Sequence, residues 1–180
     1  MSTAAETTEP LPRRRLAVYP DPVLRRRAEP VASFDDALRD LVADLRILMK
    51  NHRGVGIAAP QAGESKRVFL ACGEDLEGEP FVFVNPRLHD FGGEGVVAEE
   101  GCLSLPEILG HVARPQAVSI TAFDLDGREF TLRSEGFPAR VWQHEMDHLD
   151  GVLILDRMRA IDRLSNRRAI KELEAASSGA

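Results

Sequence analysis

Gln143-His144-Glu145-Met146-Asp147-His148-Leu149-Asp150-Gly151 is the stretch on which the reading of this chain turns. Two histidines four residues apart on a helix share one face and can grip a single metal ion. The glutamate between them then stands beside that ion's water. The flanks predict the helix: Pro138 suits a first turn, where its missing N–H is not needed, and Gly151 suits a C-terminal cap. Its span is therefore roughly residues 138–150. Standing alone, the motif could still be a surface helix with two incidental histidines, so the third ligand decides.

In a metzincin a third histidine would follow, but Ile154 occupies its place. A thermolysin-like site would use a downstream glutamate. The only ones left, Glu172 and Glu174, fall on a charged terminal helix that suits solvent. Upstream, Glu100-Gly101-Cys102-Leu103-Ser104 offers a thiolate in a polar, glycine-containing segment, and Cys102 is the better third ligand.

Outward from these segments the chain reads as α+β. Phe34, Leu38, Leu41, Val42, Leu45, Leu48 and Met49 recur at helical spacing, with Ser33 and Asp36 as a capping box. β-formers cluster at residues 67–71, 81–85, 116–124 and 128–133, the last two flanking Asp126-Gly127, a hairpin signal. A short strand is expected after residue 151, and a last helix spans roughly residues 161–174. The expected architecture is antiparallel or mixed sheet packed around the central metal-binding helix, with an N-terminal and a C-terminal helix. Residues 1–14 read as a disordered extension, 15–175 as one catalytic domain and 176–180 as a flexible tail.

With 180 residues and 43% apolar composition, one domain can bury a sizeable core. A net charge of -6 argues against broad binding to DNA or anionic lipid, and no apolar run is long enough for a membrane span or a secretory signal. Two cysteines make no disulfide framework, which favours a cytoplasmic enzyme. Cys72 ends an apolar run and reads as core; Trp142 reads as core packing behind the helix. His52, His89 and His111 lack partners at ligand spacing, and Arg114 with Glu107 reads as a solvated ion pair. Arg140, four residues before His144, has no evident role.

Three segments together resemble the peptide deformylase family: Gly54 to Gln61 is similar to GxGLAAxQ, with Ile57 for leucine; Glu100 to Ser104 matches EGCLS; Gln143 to Gly151 matches QHExDHLxG. Leu16 to Arg25 also resembles the family's start, so the likeness covers about residues 16–174. The absence of a large insertion between the first two motifs is similar to the bacterial type I subclass.

The resemblance implies hydrolysis of the formyl group from N-formylmethionyl nascent chains. It makes Cys102, His144 and His148 ligands of one divalent metal, ferrous iron by family habit, with zinc, nickel or cobalt as substitutes. Metal-bound water or hydroxide would be the nucleophile and Glu145 the general base and acid. The Gln61 amide and the Leu103 backbone N–H would face the oxyanion. Phe137 and Val141, seven and three positions before His144, share its helical face and join Val55, Gly56 and Gly101 as substrate-binding candidates. Access to nascent chains makes the C-terminal helix, where Arg163, Arg167 and Lys171 are four apart along one face, a candidate for ribosome docking; a solvated amphipathic helix that only covers the sheet is the other reading.

Overall fold

The computed structural model describes residues 11–73 and 78–177. Helix α1 (Asp36–Asn51) buries Leu38, Leu41, Val42, Leu45, Leu48 and Met49 along one stripe. Its cap is Asp35, not the expected Ser33 and Asp36 pair: the Asp35 carboxylate directly precedes the helix and accepts the N–H of Leu38 at 3.1 Å.

Five strands follow, β1 (Gly56–Ala58), β2 (Val68–Ala71), β3 (Phe81–Cys102), β4 (Leu105–Phe123) and β5 (Glu129–Glu135), in one antiparallel sheet of sequential order. The hairpin at Asp126-Gly127 forms as expected, with the Asp124 and Arg128 backbones bonded across it and Gly127 at φ 76°. Strands β3 and β4 run much further than the apolar runs implied. Register shifts near residues 85, 90 and 93, in and beside a glycine-rich stretch, break the two-residue alternation that would have marked β3.

Helix α2 (Gly136–Leu149) packs on β4, β1, β2 and β5. Ala139, Val141, Trp142 and Leu149 enter the core beside Phe69, Phe83 and Ile120, and the Trp142 and Phe83 rings stand 5.6 Å apart. This is the core role expected of Trp142. Past α2, Gly151 takes φ 74°, and a Cβ there would lie 2.6 Å from the Arg25 carbonyl oxygen. Only glycine suits both the left-handed backbone and this close approach.

The chain end departs from expectation. The short strand is instead helix α3 (Ile154–Arg157), because the Asp156 carboxylate turns back to accept the Leu153 N–H. The single terminal helix is two, α4 (Ala160–Ser165) and α5 (Arg167–Ser177). Between them, the Asn166 side-chain amide donates to the carbonyls of Leu109 and Asp162, which anchors the break on β4.

Residues 1–10 of the expected extension and 178–180 of the expected tail lie outside the described residues. Residues 13 and 14 are tied to the body: Arg14 pairs with Asp44 on α1 and with Glu64, and the Arg13 N–H donates to Asp44. Likewise Ala176 and Ser177 belong to α5 rather than to a tail.

Candidate active site

β3 ends at Cys102, and β4 begins at Leu105, so Leu103 and Ser104 form the turn between them. That turn faces the side of α2 bearing His144 and His148. The Cys102 sulfur lies 3.2 Å from His148 Nε2, the two imidazole rings are 5.0 Å apart, and one ligand atom from each of the three residues lies within 4.8 Å of the others. Among the described residues this is the group of His, Cys, Asp or Glu side chains close enough to hold a metal ion.

The donor set fits a divalent cation. Burial, with the charges of His144 and Arg114, holds the His148 imidazole well below its usual pKa, so it presents a lone pair. Burial opposes a charge on His144, but hydrogen bonds to the Cys102 sulfur and to Glu100 raise it to about 10. A proton there balances negative charge that a bound cation would balance instead, displacing it.

Glu145 lies in the same wall and is buried, and its Oε2 is a buried oxygen without a hydrogen-bond partner. Burial pushes its carboxyl up to about 7, against the pull of His144 and Arg114. Across from it, Gln61 sits in a 3₁₀ turn (Ala59–Ala62) that follows β1. Its Oε1 accepts the Ala58 N–H at 2.8 Å, which fixes the amide so that Nε2 points to Ser104 Oγ at 3.2 Å and Cys102 Sγ at 3.7 Å.

A cavity of about 410 Å³ opens on these groups. Val55, Gly56, Gly101, Leu103, Phe137 and Val141 all line it; Val141 is buried, and Phe137 is half-exposed. The structure thus brings together every residue singled out for chemistry or substrate contact. Cys72 is buried in the core, as expected. His89 and His111 lie on β3 and β4, bonded to Asp90 and Thr121 and to Asp162 respectively, and His52 caps α1.

One expectation fails. Arg114 is no solvated partner of Glu107 but is 4% exposed, and its Nε and Nη2 clasp the Glu100 carboxylate at 2.6 and 2.9 Å while Nη1 reaches Asp147 at 3.0 Å. The cause is tertiary: Arg114 lies in the β3–β4 ladder opposite Val96, and its side chain reaches back to Glu100 on β3 and across to Asp147 on α2. Glu100 in turn accepts from His144 Nδ1 at 3.1 Å, and its carboxyl is held far below the usual range, the Arg114 and His144 partners outweighing burial. Asp147, beside His148, also binds Arg157. Glu100 received no role from the sequence, although its place two residues before the thiolate was a signal.

The sequence model of the polypeptide deformylase family matches residues 13–164. The chain is 41% identical over 165 residues to the peptide deformylase of Thermotoga neapolitana, covering 92% of this chain and 99% of that relative. A crystal structure of peptide deformylase from Plasmodium falciparum superposes with a TM-score of 0.87 at 35% identity, covering 92% of this chain and 98% of the other. That from Thermotoga maritima gives 0.77 at 41% identity, covering 81% and 97%. A Cys-His-His cluster, a buried glutamate beside it and likeness over nearly the whole length together establish that the chain belongs to the peptide deformylase family.

Proposed function

We propose that Cys102, His144 and His148 hold one divalent metal, ferrous iron in the native enzyme with zinc, nickel or cobalt as substitutes, and that Glu145, Gln61 and Leu103 carry out the chemistry beside it. The reaction is the removal of the formyl group from N-formylmethionyl peptides, with release of formate. When bound, the ion supplies Lewis acidity and lowers the pKa of water it coordinates.

Glu145 takes the proton of the attacking water on Oε2 and returns it to the departing amine. A carboxyl buried in a wall and raised toward neutrality is suited to both steps. The Gln61 Nε2 and the Leu103 backbone N–H hold the formyl oxygen as it gains negative charge. The bond from Ala58 keeps the Gln61 amide from flipping, so its donor is already in place. Val55, Gly56, Gly101, Phe137 and Val141 wall the methionine side chain and exclude water.

One observation carries this reading: three ligand atoms converge within 4.8 Å next to a buried carboxylate oxygen that has no other partner. The test is an anaerobic assay of formate release from a formyl-Met peptide, with metal analysis of the same sample. Cys102→Ala should lose both metal and activity, whereas a metallopeptidase using a downstream ligand would keep them.

The site of action that fits this substrate is the ribosome in the cytoplasm, with α5 as the docking element. Arg167 and Lys171 are exposed on α5, whereas Arg163 donates to the Leu155 carbonyl and is in part committed to the fold. No helix among the described residues is long and apolar enough to cross a membrane.

A further inference from the structure

Arg140 is 11% exposed at its side chain and lies one helical turn before His144 on α2. Its Nη1 donates to Glu100 Oε1 at 2.6 Å and to the Val112 carbonyl at 3.0 Å; its Nη2 donates to the Val96 carbonyl at 2.5 Å. Three acceptors on two strands are thus gathered by one guanidinium.

The Glu100 carboxylate has a second clamp and one task. Arg114 binds both its oxygens from β4, while Oε2 also accepts His144 Nδ1. Four donors occupy two oxygens, so the carboxylate can neither turn nor shift without breaking charge-assisted bonds. Arg140 and His144 leave α2 on the same face, four residues apart, and grip opposite oxygens of the same group. The orientation of the His144 ring about its metal-facing nitrogen is thereby referred to the β3–β4 hairpin, on whose end Cys102 sits.

We infer that Arg140 is a positioning residue for the metal centre: through Glu100 it sets the ring of His144 against the sulfur of Cys102. This rests on the proposed assignment of Cys102, His144 and His148 as ligands. Arg114 ties the carboxylate to β4 and reaches α2 only through Asp147, on the far side of His144; Arg140 adds a direct grip on the carboxylate from α2 itself, one turn before His144. Partners of this kind typically change metal affinity by about 10- to 100-fold when removed.

The test measures Zn²⁺ affinity by chelator competition in the full chain. Arg140→Met keeps the unbranched stem that lines the cavity and removes every bond of the head, and should weaken Zn²⁺ binding about 10- to 100-fold. Arg140→Lys, which keeps the charge and a donor, should recover part of that loss. A second arm repeats Arg140→Met in a Glu100→Gln background, where a residue acting through Glu100 has little further effect. Unchanged affinity in Arg140→Met, or an equal loss with and without Glu100, overturns the inference and leaves Arg140 as a wall of the pocket or a strap of the fold. A wild-type protein that binds no stoichiometric Zn²⁺ overturns the ligand assignment as well, so the two failures are distinct.

Discussion

Gly56 and Glu145 meet across the cavity with no room for a side chain between them: a Cβ on residue 56 would lie 2.5 Å from Glu145 Oε1 and 2.9 Å from a methyl of Val141. The first motif of the chain therefore shapes the position of the carboxylate in the last. Gly56→Ala should push the carboxylate away from the proposed metal ligands. Turnover should fall on the order of 10²-fold, as a displacement near 1 Å can do, while metal content stays near one per chain. Formate-release kinetics with metal analysis check this, and full activity would show that the carboxylate has slack.

Glu145→Gln keeps the shape and removes the proton acceptor. Metal binding should persist and formate release should drop at least about 10²-fold. Retention of more than about a tenth of wild-type turnover would contradict a general base at this position.

Gln61→Ala should lower kcat by about 10²- to 10³-fold, the usual cost of one oxyanion donor, with KM changed less. The Ala58 N–H loses its acceptor too, so stability should fall by about 1 kcal/mol in denaturant unfolding. A variant that mainly loses metal would move Gln61 from the reacting oxygen to the metal site.

Asp156 gives the fold a pH dependence remote from the site. Burial raises its carboxyl, but the Arg25 side chain and the Leu153 N–H outweigh this and hold it below its ordinary value. A depressed carboxyl contributes stability above its unfolded pKa, about 3.9, and loses it as pH falls through the lower folded value. Asp156→Asn keeps an acceptor for Leu153 and removes the charge. It should therefore cost roughly 0.5 to 1 kcal/mol at pH 7 in urea unfolding, and the gap to wild type should close below about pH 4.

Docking through α5 predicts that Arg167→Glu with Lys171→Glu weakens salt-sensitive co-sedimentation with ribosomes, while hydrolysis of a free formyl-Met peptide is unchanged. Identical sedimentation of mutant and wild type at low salt would leave α5 as a cover for the fold.

The grouping of the candidate site residues was largely legible in one dimension. His144 and His148 owe their common face to helical period alone, and Pro138 in the first turn and Gly151 just past the end mark that helix by their backbone limits. The motifs around Gln61 and Cys102 supplied the remaining groups because each is a short segment whose residues act together. Four of the five strands were visible in part, through the β-rich runs and the turn at Asp126-Gly127, whereas β1 in its glycine-containing stretch and the full reach of β3 were not.

What the tertiary structure decided lies in contacts between elements far apart in sequence. The buried charges Glu100, Arg114, Arg140 and Asp147 come from β3, β4 and α2. No spacing rule relates them, since their meeting depends on the β3–β4 register and on how α2 lies over it. The same holds for the break at Asn166, made where its amide finds a β4 carbonyl, and for Arg14, drawn to Asp44 and Glu64. Local periodicity tells which face a side chain occupies; only packing tells which partner neutralises a charge that has left water, and that pairing determined the surroundings of Cys102, His144 and His148.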